Sequence, residues 1–406
     1  MLSKIAGIFK KHSLLILYYF MIALVSTGLI YGYGFKHIPK VVFYTTIFTI
    51  AYLFFYHKMK NKAWDGFQLP FLSESNRKNV ELLLVSFIVV FCVYHFLFLG
   101  HVPVISAYNS EDYYGIAFMR QDINNHSNVF IKYVSSFMLK GIMPFALLYF
   151  YISNKKYFWI LFPIVAFYSL ALMQKSLIVS VLIPLIVYLF IKRKYLSATG
   201  CSLVAVLGVY TLVFVTNPEI RKDSLSHIDT SDLQSGDSFF SASDAIYERV
   251  LFTTGKVSGH WFDKIPSKYP YSKGCGYHFV APFLGCDFND YDYSRIIYKD
   301  VYQKETKLGL KGTVTVMNFV YDYANFGYYG LFYSAIIVAF FFAFINKLFD
   351  DSYIWTICLN ALFVFWLSSS AFHTLLLSGG WLITLIMFFI FKKYITVKEN
   401  ELSAQN

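Results

Sequence analysis

The run SLLILYYFMIALVSTGLIYGY, from Ser13 to Tyr33, contains no charged side chain. An apolar run of about eighteen or more residues is long enough to cross the hydrocarbon core of a bilayer as a helix. This run is too long for the apolar region of a cleavable signal peptide and lacks an obvious small-residue cleavage site, so we expect it to remain as a signal anchor. Lys4, Lys10 and Lys11 precede it and predict a cytoplasmic N-terminus.

Nine further apolar runs follow along the chain. They cover about residues 38–56, 80–100, 133–152, 157–173, 177–191, 199–215, a span within 317–345, 353–372 and 375–391. If each run crosses the membrane once, every compact cluster of Lys and Arg falls on the side of the N-terminus, as the positive-inside rule requires. We therefore expect an all-α polytopic membrane protein with about ten transmembrane helices and both termini in the cytoplasm.

The composition supports this class of protein and argues against others. Apolar residues make up 57% of the 406 residues and charged residues only 15%, whereas soluble domains are about 25% charged. The net charge of +11 resides in short clusters at the ends of apolar runs, so we expect no nucleic-acid partner. The chain has no Gly-rich nucleotide-binding loop, no Gly-x-Ser-x-Gly turn and no His-Glu-x-x-His zinc motif. We expect no cofactor and no metal.

The chain divides into three parts by polarity. Residues 1–216 carry the first seven predicted helices and an outer polar loop at 101–132. Residues 217–312 form one large outer loop, and residues 313–406 carry the last three helices and a cytoplasmic tail. Long loops without a packing role are usually functional. We therefore expect the chemistry to lie at the outer face.

Basic side chains in the outer segments are candidates for binding phosphate. Arg suits phosphate because its planar guanidinium donates two parallel hydrogen bonds. The alternative for each is an ion pair on a solvated surface, and for the lysine at a helix end it is a side chain that reaches toward the membrane surface. The candidates are Arg120, Lys175, Arg221, Arg249, His260, His278 and Arg295.

Acidic and thiol side chains supply three further candidates. Asp322 lies where the large loop leads into the eighth apolar run, and a carboxylate there could act as a general base or make a polar contact between helices. Cys275 and Cys286 both lie in the large loop and could pair if it faces an oxidising compartment. The acidic cluster 287–292 lacks the spacing of an EF-hand loop, which favours a solvated turn over a metal site.

Three stretches resemble the O-antigen polymerase (Wzy) family of oligosaccharide repeat-unit polymerases. The first is Gln174-Lys175-Ser176 at the start of the sixth span. The second runs from Tyr247 to Phe252 and continues at Tyr269-Pro270 with Gly274 and Gly276. The third is YANFG at 323–327 with Gly330, close to the family's Tyr-x-Asn-Phe-Gly-x-x-Gly pattern. The layout of many spans with one large late loop covers essentially the whole chain.

The resemblance implies a membrane-embedded C-type glycosyltransferase of the bacterial inner (cytoplasmic) membrane. Its one large loop would be periplasmic, and it would work at the periplasmic face. Its donor and acceptor would be undecaprenyl-pyrophosphate-linked oligosaccharides, and the growing glycan would move from its lipid carrier onto the next lipid-linked repeat unit. The resemblance points to Arg249 and Arg120 for the pyrophosphate. A flippase and a chain-length regulator of the same pathway would be its partners.

One position departs from the family pattern. Many relatives have Glu six residues before the motif glycine, where this chain has Tyr321. Asp322 is the adjacent carboxylate and is the predicted base. An O-antigen ligase, which shares the architecture and the lipid donor, and a flippase or other transporter remain alternative functions, although a flippase usually has shorter loops.

Overall fold

The computed structural model describes residues 10–60, 76–110, 112–126, 128–218, 252–309, 311–349 and 353–404. Within these residues every regular element is helical and no strand occurs. The expectation of an all-α architecture is therefore confirmed for the described part of the chain.

The first ten α-helices come from the N-terminal half. They are α1 (Ser13–Tyr33), α2 (Ile38–Lys60), α3 (Arg77–Leu99), α4 (Pro103–Tyr108), α5 (Tyr113–His126), α6 (Val129–Phe137), α7 (Met143–Ser153), α8 (Lys155–Ala171), α9 (Lys175–Ile191) and α10 (Tyr195–Thr216). A π-helical segment, Met138–Ile142, joins α6 to α7.

The remaining helices follow the large polar loop. They are α11 (Thr254–Lys264), α12 (Ala281–Leu284), α13 (Tyr293–Val301), α14 (Gln303–Lys307), α15 (Asn318–Phe326), α16 (Tyr328–Leu348), α17 (Tyr353–Trp366), α18 (Phe372–Leu377) and α19 (Trp381–Ala404). A short 3-10 helix, Phe288–Tyr291, precedes α13.

Seven stretches in the described residues are helical, long and apolar enough to cross a membrane. They are Ser13–Tyr33, Ile38–Met59, Arg77–Leu99, Phe130–Ser153, Tyr195–Thr216, Tyr328–Leu348 and Phe372–Lys392. Two shorter apolar helices, Lys175–Ile191 and Tyr353–Trp366, accompany them. The protein is thus a multi-pass α-helical membrane protein, and each of the ten predicted runs is largely helical.

The eighth run differs from its predicted extent. The membrane-length helix α16 begins at Tyr328, because Gly327 has a positive φ of 62° and interrupts the helix. Glycine adopts this backbone conformation without steric cost. The residues before it fold separately as α15, which contains Asp322. The predicted base therefore lies on its own short helix ahead of the span.

The described chain forms two compact units. The first comprises Met1–Trp64, Phe239–Ile357 and Phe363–Leu375, and the second comprises Asp65–Ser238, Cys358–Leu362 and Leu376–Asn406. Each unit therefore combines segments that lie far apart in the sequence.

Close helix packing organises the first unit. Helix α16 packs along α2, and α11 packs along α1. The α11–α1 contact depends on Gly255 and Gly259, four residues apart, because a Cβ at the former would overlap the backbone around Gly28 and one at the latter would overlap the ring of Tyr33. Small residues at this spacing let helix backbones approach closely in membrane proteins.

A similar close approach occurs in the second unit. A Cβ at Gly141, in the π-helical segment, would lie 2.9 Å from the carbonyl oxygen of Gly380. Gly380 lies in the break between α18 and α19 and has a φ of 87°. Nearby, the Ser136 hydroxyl donates to the Ser378 carbonyl at 2.9 Å. The break in the last predicted span is therefore packed against helical backbone.

Candidate functional site

Asp322 is a buried carboxylate held by two phenols. Only 6% of the residue is exposed. Tyr277 donates from its hydroxyl to Oδ1 of Asp322 at 2.6 Å, and Tyr333 donates to the same oxygen at 3.3 Å. The two phenol oxygens also contact each other. Hydrogen bonds to a charged acceptor are stronger than neutral ones, so these donors offset part of the cost of burying the carboxylate.

The position of Asp322 depends on how α15 lies against α16. A Cβ at Gly330 would overlap the carbonyl oxygen of Asp322, so the two helices meet with backbone against backbone. Gly327 makes the turn between the helices, and a Cβ there would approach the ring of Tyr271 to 2.9 Å. Steric contact therefore explains why glycine occupies both glycine positions of the Tyr-x-Asn-Phe-Gly-x-x-Gly pattern.

The asparagine of the same pattern holds the loop that supplies Tyr277. Oδ1 of Asn325 accepts hydrogen bonds from the Ser272 hydroxyl at 2.5 Å and from the backbone N–H of Gly274 at 3.2 Å. The backbone N–H groups of Ser272 and Lys273 donate to the carbonyls of Ala324 and Asn325. Asn325 is 3% exposed, and an amide can satisfy several groups at once. The second and third sequence stretches therefore meet in space.

A disulfide between Cys275 and Cys286 closes the loop beyond this contact. Tyr277 lies just inside the loop, where its ring contacts the ring of His373 edge-on at 4.8 Å between centroids. Phe279 contacts the same imidazole at 5.2 Å. The loop therefore carries one of the two phenols that contact the carboxylate, and α18 supports it through His373.

A cavity of about 430 Å³ opens beside the carboxylate. Tyr333 connects the two, because its hydroxyl reaches Asp322 and its side chain lines the cavity. The complete lining is Tyr271, Lys273, Asn325, Phe326, Tyr329 and Tyr333. Small-molecule sites usually have volumes of about 300–1,000 Å³ with a few polar groups among aromatic ones. The cavity has both the size and the composition of a ligand site, and Lys273 is its cationic member.

A second polar cluster joins α11 to α13 and stabilises the base of the loop. Lys264 and Lys268 donate to Oδ2 of Asp300 at 2.9 and 2.7 Å, and Tyr269 donates to the same oxygen at 2.7 Å. Burial acts to raise the pKa of Asp300, but these donors outweigh it and hold the pKa well below its usual range. Tyr269, from the second sequence stretch, thus has a structural partner.

A third cluster lies where α11 meets the turn between α1 and α2. Oδ1 of Asp263 lies 2.6 Å from Nζ of Lys36 and 2.8 Å from Nε2 of His37. The hydroxyl of Tyr33 lies 2.6 Å from Nδ1 of His260. Burial, followed in size by nearby lysines, lowers the pKa of both histidines below their usual value, although Asp263 opposes the shift. Both imidazoles are therefore largely neutral at neutral pH.

The predicted phosphate ligands fall in different parts of the chain. Arg221 and Arg249 lie outside the described residues. Arg120 lies in α5 and Lys175 is the first residue of α9, both in the second unit. His278 lies in the first unit beside Tyr277, is exposed, and contacts the ring of Phe288. Among the predicted phosphate-binding residues that the structure describes, His278 is therefore the one next to Tyr277, which donates a hydrogen bond to Asp322.

The other sequence candidates have local partners. Arg295 forms an ion pair with Asp292 at 3.1 Å. Asp287 and Asp292 accept backbone hydrogen bonds from Asn289 and Arg295, so their carboxylates cap short helical turns. The described residues contain no group of three or more His, Cys, Asp or Glu side chains placed to hold a metal ion.

Sequence reasoning missed four residues of the site: Tyr277, Tyr333, Lys273 and His373. The chain contains 34 tyrosines, and no spacing distinguishes the two that bind Asp322. Gly274 and Gly276 on either side of the disulfide cysteine were the available signal. A built Cβ at Gly276 would lie 2.9 Å from the amide oxygen of Asn325, which shows that the two stretches need to touch.

Comparison with known proteins adds no relative. No protein-family model, curated protein or solved structure matches the chain. The function of the protein is therefore inferred from the geometry around Asp322 and from the sequence resemblance.

Proposed function

We propose that the protein is a membrane glycosyltransferase that polymerises lipid-linked oligosaccharide repeat units. The observation that carries the proposal is the buried carboxylate of Asp322, bound by two phenols and connected through Tyr333 to an aromatic cavity with one lysine. Two residues of the polymerase-like stretches, Asn325 and Gly330, hold this arrangement in place.

In the proposed reaction Asp322 is the general base. It takes the proton of an acceptor hydroxyl on the next lipid-linked repeat unit. The freed oxygen attacks the anomeric carbon of the donor glycan, and the bond from that carbon to the lipid pyrophosphate breaks. The pyrophosphate leaves with the bonding electrons, so a fixed cation near it lowers the barrier. Lys273 at the cavity is such a cation, and the resemblance adds Arg249 and Arg120.

The test is a deletion of the gene with the surface lipopolysaccharide resolved on a gel. We expect the ladder to collapse to core plus one repeat unit, and the wild-type gene to restore it. Asp322→Asn should not restore it, because loss of a general base lowers the rate by about 10²–10⁴-fold. Asp290→Asn is the matched control, since Asp290 is an exposed carboxylate in a nearby turn. Immunoblotting verifies that both variants reach the membrane.

Other outcomes separate the alternatives. Restoration by Asp322→Asn at equal protein level would refute the role of Asp322. Disappearance of repeat units from the lipopolysaccharide would refute the polymerase. Stranded lipid-linked single units would then indicate a flippase, and stranded long chains would indicate a ligase.

A further inference from the structure

The loop between Cys275 and Cys286 exposes large apolar side chains at its tip. Phe283 is 89% exposed, and Leu284 and Phe279 are about half exposed. Phe283 and Leu284 belong to α12, a single turn, and the disulfide closes the loop at its base. A constrained loop cannot easily fold these side chains inward. Contiguous exposed apolar surface usually marks a contact with a partner or a membrane.

The exposed tip is continuous with the N-terminal end of a membrane-length helix. A Cβ built on Gly274 would lie 2.9 Å from Leu284 and 3.6 Å from Phe326, so these two side chains flank one backbone position. Phe326 is the last residue of α15, two positions before α16 begins, and two side chains in the first turns of α16, Tyr329 and Phe332, are also exposed. Lipid surrounds the exposed face of a spanning helix, and aromatic side chains concentrate where such helices leave the hydrocarbon.

A cation accompanies the apolar surface. Lys273 is exposed and adjoins Gly274, and no ion pair links it to another residue of the described chain. A lysine beside exposed aromatic and aliphatic side chains matches the composition of segments that lie in the interface, where the ammonium meets lipid phosphate and the apolar groups enter the acyl boundary. The chemistry of this surface therefore fits a phospholipid leaflet.

We propose that loop 275–286 is a membrane-interface anchor, inserted through Phe283 and Leu284 into the leaflet that adjoins the Tyr328 end of α16. The same loop carries Tyr277, whose hydroxyl binds Asp322. The anchor thus holds the carboxylate and its cavity at the membrane surface. It requires only the lipid contact and does not depend on the glycosyl-transfer chemistry.

Photo-crosslinking of the full-length protein tests the anchor. Benzoylphenylalanine replaces Phe283 in one variant and the exposed Lys299 of α13 in the control. Each variant is reconstituted in phosphatidylethanolamine–phosphatidylglycerol vesicles, irradiated and analysed by mass spectrometry. We expect phospholipid adducts at position 283 to exceed those at 299 by about tenfold or more, because an apolar side chain partitions into lipid by at least that factor.

Other adduct patterns would contradict the proposed contact with lipid. Absence of lipid adducts at position 283, or equal amounts at the two positions, would overturn the anchor. An adduct only to another segment of the chain would also overturn the anchor, because that segment would cover the surface. An adduct only at twice the protein mass would overturn it in favour of a second copy of the protein. Thermal unfolding in detergent verifies that both variants are folded before reconstitution.

Discussion

At Oδ1 of Asp322, two phenol donors converge on one oxygen atom, and the shorter of these hydrogen bonds comes from Tyr277. A buried carboxylate without donors carries a large desolvation cost. The two tyrosines therefore offset part of this cost and hold the orientation of the carboxylate. If Asp322 is the base, Tyr277 is a positioning residue that acts through it.

We predict that Tyr277→Phe lowers polymerisation about tenfold and destabilises the fold by roughly 1–3 kcal/mol, since hydrogen bonds to charged groups are worth about that much. Ladder density and thermal unfolding in detergent measure the two effects. Tyr328→Phe is the control, because the Tyr328 ring is about half exposed and contacts its neighbours Phe43 and Tyr323 through the ring. Equal effects of the two variants would contradict a specific role for the Tyr277 hydroxyl.

Residue-scale electrostatics also predicts a pH effect at the α11 contact. The folded-state pKa of His37 and of His260 lies below the usual 6.5. A depressed pKa means that the unfolded chain binds more protons, so this contribution to stability is present above pH 6.5 and is lost as the pH falls through the folded-state values. Acidification from pH 8 to pH 5 should therefore lower the unfolding temperature.

The double variant His37→Gln with His260→Gln should show a flatter dependence of unfolding temperature on pH. Asp263 contacts the cluster, but its pKa lies below the usual 3.8, so it does not titrate between pH 5 and pH 8. An unchanged slope in the double variant would place the pH sensitivity elsewhere.

At the scale of elements, the contact between α15 and α16 places the carboxylate. The contact has no room for a side chain at Gly330, where the α16 backbone meets the carbonyl of Asp322. A carbonyl in a helix cannot rotate away as a flexible side chain would. Any side chain at this position therefore has to move the whole of α15.

We predict that Gly330→Ala destabilises the protein by about 1–3 kcal/mol or more, as overpacking does, and abolishes polymerisation by displacing Asp322. Gly200→Ala in α10 is the matched control, because nothing lies within 4 Å of its built Cβ. That control should stabilise its helix by about 0.5–1 kcal/mol. Thermal unfolding of the purified variants compares them, and a neutral Gly330→Ala would show that α15 does not depend on the close contact.

For the whole molecule, the number of crossings decides where the C-terminus lies. Seven crossings would put the two termini on opposite sides, whereas ten put them on the same side. Basic residues near the ends of apolar runs, such as Lys192, Lys347 and Lys392, favour the even count. The two shorter helices α9 and α17 and the helix α8 supply the difference.

We predict that green fluorescent protein fused after Asn406 is fluorescent in cells, since it folds only on the cytoplasmic side. Alkaline phosphatase fused after a truncation at Gly309 should be active, because that enzyme folds only outside. A C-terminal phosphatase fusion with high activity would contradict the count of ten and support an odd number of crossings.

The all-α membrane class and the approximate positions of the long helices followed from the sequence alone. The length of an apolar run and the basic residues at its ends are local properties, and they determine whether a segment enters a bilayer. The run from Ser13 to Tyr33 needed no partner to be identified as a helix, and its predicted bounds agree with the structure. The glycine pattern that ends at Gly330 marked the segment that contains Asp322, but it did not reveal the close backbone contact between α15 and α16.

The surroundings of Asp322 were decided by tertiary structure. Its phenol donor Tyr277 lies 45 residues away in sequence, and none of the 34 tyrosines carries a local mark of that role. The split of the eighth run at Gly327 likewise depends on α15 lying back along α16. Hydrophobic length specifies which segments enter the membrane, whereas backbone contact and hydrogen-bond geometry between distant segments specify which side chains meet.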